Sequence, residues 1–304
     1  SWRAATGAPL HCTTPVSSMQ LRGALPAKLN VSQPSLSAQL AEVEADLGVS
    51  LFHRSRSGVR ITPVGEEILR RARQIVHDIH DLRAVVQGGG LLQGRLRLGV
   101  LPSIGPYLLP SVIQKLHREH PSLRIIIREE NTQDLDEGLR SGRLDMIIST
   151  PEDHPAATSH GIVKERLWVA MALDHPLVNL GTTVRLEELG GQTFMTLGAG
   201  HRLSHIVAGL ATRAGGRVSD EYEGTSLDAL RLMAAAGTGL AILPNIYAAT
   251  EASRGLDVHI ARIDDPLAER TISLLQLASK GSNSESEILV QALRDGAKSL
   301  IQGF

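Results

Sequence analysis

The spacing of apolar residues changes along this chain, and each change marks a boundary. Residues 1 to 23 show neither a period of 3.6 nor one of 2 and are rich in Pro, Ser, Thr and Ala, so no structure is assigned to them. From residue 24 the pattern turns helical. ALPAKLN makes a short helical piece, and after a tight connection Leu36, Leu40, Val43 and Leu47 recur at spacings of 4, 3 and 4 until Gly48 stops the helix. Ser32 is placed to cap this second helix, and Pro34 lies in its first turn, where a missing N–H costs nothing. Two helices joined this closely read as a helix-turn-helix. Two β-like runs around a Ser-Gly turn follow in VSLFHRSRSGVRIT, a hairpin wing carrying Arg54, Arg56 and Arg60. Residues 62 to 87 then form one long helix with Ile68, Ala72, Ile75, Ile79, Leu82 and Val86 at spacings of 4, 3, 4, 3 and 4. Such a heptad-like seam asks for a partner helix, most simply from a second copy of the chain. Gly88, Gly89 and Gly90 break the helix into a flexible linker.

Beyond the linker, strands alternate with helices. GRLRLGV, LRIIIREE and LDMIIST read as strands, separated by helices in SIGPYLLPSVIQKLHREHP and TQDLDEGLRSGR. ERLWVAMAL and QTFMTLG are further strands, followed by a helix from about 203 to 214, the helix SLDALRLMAAAG and the strand GLAILP. TISLLQLA and a terminal helix from about 284 to 301 close the chain. This alternation implies a parallel sheet in an α/β domain. The last strand and helix are too few for a domain of their own, so they return to the first α/β unit. Two α/β subdomains result, about 94–168 with 270–304 and about 169–269, joined by two crossing strands. Ligands of open α/β sheets bind at the carboxyl ends of strands, which here means the cleft between the subdomains.

Composition narrows the function. With 42% hydrophobic and 21% charged residues the chain is of ordinary globular type, and its length of 304 suits two or three domains. A formal charge of −1 supplies no overall field toward nucleic acid or membrane, so any basic surface is local. A single cysteine, Cys12, excludes a disulfide framework and an internal dithiol switch. No apolar run reaches transmembrane length and the first residues lack a signal-peptide core, so the cytoplasm is the expected compartment. No nucleophile elbow, phosphate loop or metalloprotease motif is present, and neither catalysis nor a cofactor is expected.

NVSQPSLSAQLAEVEADLGVSLFHR closely resembles the recognition helix and wing of LysR-type transcriptional regulators. The long helix, glycine linker and two-subdomain module follow in that family's order, from about residue 28 to 304. The resemblance implies an N-terminal winged helix-turn-helix (28–61), a dimerisation helix and hinge (62–90) and an effector-binding module (91–304) of periplasmic-binding-protein type 2 architecture. It also implies homodimers or tetramers, held by the 62–87 helix and the effector module. LGVLPSIGPYLLP, TSLDALRLMAAAGTG and the GHRL turn are similar to the hydrogen-peroxide-sensing, OxyR-like branch. There the residue after the Gly-His pair is a reactive cysteine, with a second cysteine nine residues on. Arg202 and Ala211 occupy those positions here. Residues 1 to 27 depart from the family: they lack the aromatic-rich first helix and read like out-of-frame or replaced sequence, leaving the DNA-binding domain without one core support.

Short polar side chains at the start of the recognition helix, Ser32, Gln33, Ser35 and Ser37 around Pro34, suit base edges and phosphates of a promoter duplex, toward which the helix dipole points its positive end. Arg54 and Arg56 suit phosphate or minor-groove contact. Arg70, Arg71 and Arg73 read as exposed charges flanking the seam, with Glu66 and Glu67 four residues before Arg70 and Arg71. In the effector module, Ser103 precedes a helix with free backbone N–H groups, a setting that binds anions or hydroxyls. The resemblance places Ser103, Thr132, His201 and the Thr225–Ser226 turn around the cleft. Helix capping alone also explains Thr132 and Ser226. His201 and His205 stand four apart, a spacing that puts two imidazoles on one helix face, yet no third ligand for a metal lies near. Arg202 either pairs with an anionic effector or extends to water. The rival to a DNA-binding regulator is a solute-binding protein with a non-functional DNA-binding domain.

Overall fold

In the computed structural model, residues 33–55, 58–86, 95–255, 257–277 and 284–302 are described. The ALPAKLN segment, Cys12, Ser32, Arg56 and the Gly88–Gly90 linker lie outside them. Helix α1 (Gln33–Leu47) ends where expected, with Gly48 at φ +67. The left-handed turn lets the Gly48 and Val49 N–H groups bond back to the Ala45 and Glu44 carbonyls. The apolar stripe forms the helix, with Leu40 half-buried but Val43 and Leu47 44% and 49% exposed.

The wing forms as an antiparallel hairpin of β1 (Phe52–Ser55) and β2 (Gly58–Ile61). Glu44 on α1 fixes its start by accepting the Leu51 and Phe52 N–H groups at 2.6 and 3.1 Å. Thr62 then caps α2 (Pro63–Val86), accepting the Gly65 N–H at 2.9 Å while its hydroxyl donates to the Ser50 carbonyl at 2.8 Å. On α2 the seam residues Ile75 and Ile79 are exposed. Glu67 bonds both Arg70 and Arg71, and their guanidinium groups hold its carboxyl down to about 2. Two of the four α2 arginines, Arg70 and Arg71, are therefore paired within the helix by Glu67, rather than by Glu66 and Glu67 in turn.

The chain from 73 onward is built on one long mixed sheet. Strands β3 (Arg95–Val100), β4 (Arg124–Glu129) and β5 (Met146–Ser149) run parallel, alternating with α3 (Gly105–Glu119) and α4 (Thr132–Arg140). Strand β6 (Ala157–Met171) spans the whole sheet. Beyond it come β7 (Thr183–Arg185), β8 (Thr193–Met195), α5 (Arg202–Ala214), β9 (Arg217–Val218), α6 (Leu227–Ala235), β10 (Leu240–Pro244), the short helix α7 (Asn245–Tyr247) and β11 (His259–Asp264). Strand β12 (Glu269–Leu277) and helix α8 (Ser284–Ile301) return to the first strands. The strand order is β4-β3-β5-β12-β6-β10-β8-β9, with β11 on β6 and β7 on β11.

The expectation of a parallel sheet holds for β3, β4 and β5, for β8 with β9 and β10, and for β7 with β11, but not at the crossing, where β12 is antiparallel to β5 and β6, and β10 and β11 are antiparallel to β6. The chain passes between the two halves and comes back, so its outward and return strands must oppose each other. Strand β6 also begins eight residues earlier than the apolar run from Glu165 suggests, at Ala157. Its first half pairs only with β12, and such an edge strand tolerates the polar and glycine residues that conceal it.

Two apolar cores flank the crossing. One gathers Leu98, Val100, Leu108, Leu135, Ile148, Leu274 and Leu293. The other gathers Leu167, Val169, Phe194, Val207, Leu230, Ile242 and Ile263. The changeover falls between Glu165 and Leu167 on β6 and at Ala268–Glu269, where the Leu167 N–H bonds the Ala268 carbonyl at 2.8 Å. No helix of the described residues is long and apolar enough to cross a membrane.

Candidate functional site

A polar cluster sits where the two cores meet. Glu165 and Arg270 are register partners on β6 and β12, and both are almost fully buried. Arg270 Nε donates to Glu165 Oε1 at 2.6 Å, and its Nη1 donates to the Ser103 hydroxyl at 3.1 Å. The second Glu165 oxygen accepts the Ile246 N–H at 3.2 Å. Arg270 Nη2 is buried and finds no protein acceptor. A charged donor left open at the junction of two lobes is suited to a ligand oxygen, because an unmet buried donor is costly.

His201 lies close enough to feel that charge. It occupies the N-cap of α5 and is 6% exposed. Burial first, and the Arg270 charge second, hold its ring below the usual 6.5. A neutral imidazole presents one donor and one acceptor. Because the folded value is depressed, the neutral ring's contribution is fully present above pH 6.5 and is lost as pH falls below it toward the folded value. The melting temperature is therefore expected to drop between pH 7.5 and 5.5, and His201→Gln should flatten that drop. Calorimetry showing identical pH slopes for both proteins would sink this role for His201.

The turn leading into α5 is tied to the opposite lobe. The Thr132 N–H donates to the Gly200 carbonyl at 3.3 Å, and the Arg202 N–H reaches Thr132 Oγ1 at 3.4 Å. Arg202 Nη1 donates to Asp153 Oδ1 at 3.2 Å. Asp153 ends a 3-10 turn (Pro151–Asp153) after β5 and accepts a second bond from the Thr150 hydroxyl. Next to it, His154 joins Asp136 on α4 at 3.1 Å and Ser149 at 2.9 Å. This Ser–His–Asp chain has the connectivity of a hydrolase triad. Ser149 and His154 are 0% and 1% exposed, however, so no substrate reaches the hydroxyl; the chain anchors the turn to α4.

Several expectations change. The N–H groups at the start of α3 are not free: Ile104 and Gly105 bond the Leu101 carbonyl, Pro106 has none, and Tyr107 bonds the Ile104 carbonyl. Ser103 acts through its hydroxyl on Arg270 instead. Asn131, not Thr132, caps α4, accepting the Asp134 N–H at 3.0 Å, which leaves Thr132 to meet the 200–202 turn. Ser226 does cap α6, through the Ala229 N–H at 3.2 Å. Thr225 and Ser226 are exposed and make no described contact with the cluster. His201 and His205 do not share a helix face, because His201 precedes the helix with extended backbone and turns inward while His205 is exposed. Among the described residues no group of three or more His, Cys, Asp or Glu is gathered for a metal. Arg202 does not extend only to water: Asp153 holds it through one nitrogen, with the side chain 35% exposed.

Glu165, Arg270 and Asp153 were not singled out from the sequence. Glu165 and Arg270 each begin an apolar run and look like solvated strand ends; only the antiparallel register between residues 105 apart brings them together. In the N-terminal unit, Pro34, Ser35 and Ser37 on the first turns of α1 are exposed. Gln33 opens α1 and Arg54 lies on β1.

A helix leading into a wing, a long second helix and a two-lobed module with a polar junction point to a DNA-binding regulator with an effector domain. The matches agree. Residues 27–66 match the bacterial regulatory helix-turn-helix protein, lysR family, and residues 89–298 match the LysR substrate binding domain. The chain belongs to the LysR family of transcriptional regulators. Over 267 residues it is 33% identical to the DNA-binding transcriptional dual regulator OxyR of Escherichia coli K12, covering 87% of each chain. Over 282 residues it is 30% identical to a probable hydrogen peroxide-inducible genes activator of Streptomyces viridosporus, covering 90% of this chain and 88% of that one. Among solved structures it is similar to full-length Pseudomonas aeruginosa OxyR carrying a cysteine-to-aspartate substitution, with TM-score 0.70, 30% identity and coverage of 88% and 90%. A peroxide-bound cysteine mutant of Corynebacterium glutamicum OxyR gives TM-score 0.64 at 28% identity, covering 91% and 89%. The chain is a transcriptional regulator and not an enzyme. The solute-binding alternative is set aside by the DNA-binding match and by relatives that align along both parts.

Proposed function

We propose that this regulator senses a small polar effector held non-covalently between its two lobes and transmits its presence to promoter DNA. The observation that carries this reading is Arg270, fixed by Glu165 and Ser103 with one N–H pair left unmet at the junction. His201 beside it adds a donor and an acceptor, and Thr132 and Arg202 close the far side. The relatives named as peroxide-inducible activators point to oxidant sensing, yet arginine stands at 202, where the resemblance places the thiol, and the sole cysteine is Cys12. A ligand that prefers one arrangement of the lobes would shift the population of DNA-competent states.

In this reading, residues 28–61 contact the duplex through Ser32, Gln33, Pro34, Ser35 and Ser37 and through Arg54 and Arg56 on the wing. Residues 62–90 pair two copies; the exposed Ile75 and Ile79, with Ile126 and Ile127 open on the β4 edge, support a homodimer or larger assembly. Residues 91–304 hold the effector, in lobes of about 94–168 with 270–304 and about 169–269. The protein works in the cytoplasm, where its promoter is. A gel-shift titration of the full chain on its own upstream DNA tests the reading. Specific binding that weakens by orders of magnitude between about 50 and 200 mM salt is expected, because several phosphates are neutralised. Equal binding to unrelated DNA would contradict it.

A further inference from the structure

Among the described residues, the 198–202 turn meets the first lobe through three polar bonds, and only one of them joins charges. Thr132 supplies two backbone-directed bonds at 3.3 and 3.4 Å, near the long limit for hydrogen bonds. The third is Arg202 to Asp153, a single 3.2 Å contact with the side chains 35% and 17% exposed. Asp153 does not hang loose: Thr150 bonds its other oxygen, and His154 pins the following residue to Asp136 on α4 and to Ser149 on β5. Asp136 is in turn held by Arg140 at 2.8 Å. A carboxylate held on the first lobe therefore grips an arginine on the turn of the opposite lobe that carries His201, the residue coupled to Arg270.

We propose that Asp153 is the built-in occupant of Arg202: their ion pair keeps the 198–202 turn closed on the first lobe, and a carboxylate-bearing effector acts by taking Arg202 from Asp153. The effector half of this rests on the reading of the junction as the ligand site. A half-exposed pair with one contact biases an equilibrium by no more than about fivefold, so a ligand needs only modest differential affinity to reverse it. The switch is then an exchange of carboxylates on one guanidinium and needs no thiol. Asp153 is a positioning residue, since it acts on the turn and not on the effector.

Amide hydrogen exchange of residues 198–204 in the full chain tests this. Asp153→Asn and Arg202→Met should each speed exchange there by about two- to fivefold. The double variant should match either single one, and the swap of Asp153→Arg with Arg202→Asp should restore protection to within about twofold, as expected for a coupled pair. Unchanged exchange in the single variants, or effects that multiply in the double, would overturn the latch. Acetate, compared with chloride at equal ionic strength, serves as the carboxylate probe. It should loosen the turn in the wild type and do nothing in Arg202→Met. Acetate acting equally on both proteins, or on neither, overturns the effector half while the variants still decide the latch.

Discussion

Arg270→Ala is expected to destabilise the C-terminal module by about 3–5 kcal/mol, because it strands a buried carboxylate. Glu165 is 1% exposed, and without Arg270 only the Ile246 N–H would remain on it. For a unit of this size the loss corresponds to roughly 10 °C in melting temperature. Glu165→Ala should cost a similar amount, for the opposite reason. Replacing both, as Glu165→Leu with Arg270→Met, should recover most of the stability, since a buried pair is often no better than apolar groups of the same volume. Thermal melts of the four proteins decide the matter. A double variant no more stable than either single one would mean that the unpaired charge is not what the single changes cost. The recovered double variant should fold and yet lose effector response, which separates the pair's part in stability from its part in binding.

The second large effect is expected at Gly65. A Cβ there would run into the Leu51 carbonyl oxygen and lie 2.8 Å from Ile61 Cγ1. The obstacle is backbone, held by the Thr62 N–H on Leu51 and by Glu44 on the Leu51 N–H, so it does not yield as a side-chain tip would. Overpacking of this kind costs about 1–3 kcal/mol, a large share of what a small winged helix can supply. Gly65→Ala should therefore lower affinity for promoter DNA at least tenfold in a gel shift, while the C-terminal module melts as in the wild type. Gly48→Ala is the control. Its Cβ meets nothing within 4 Å, and its only penalty is the left-handed φ of +67, about 1 kcal/mol. A smaller effect at 65 than at 48 would show that the wing does not depend on this close approach.

Much of the fold was legible because local pattern and tertiary role agree. The terminal helix, α5 and the wing each carry a clean period and a glycine or hairpin boundary, and they fall within a residue or two of where the sequence puts them. β7 and β11 were missed because TVR is too short for a period and HIARID is interrupted by Arg262. The first half of β6 hid for a related reason, since an edge strand need not be continuously apolar. At the junction, Ser103 and His201 were singled out from local pattern and the resemblance, and Thr132 from the resemblance, whereas Arg270, Glu165 and Asp153 depend on long-range register or on the path of a turn. Their charges gave no local signal that they were buried or paired. Arg202 was flagged from the sequence, but its partner could not be, because Asp153 belongs to the other lobe.

In the proposed function, this regulator reads a non-covalent signal although its relatives carry a peroxide name. Fluorescence anisotropy of the full chain on its upstream DNA, titrated before and after hydrogen peroxide treatment and repeated with Cys12→Ser, tests it most directly. One specific binding curve, unchanged by peroxide in either protein, is expected. A peroxide-dependent shift that Cys12→Ser abolishes would contradict it.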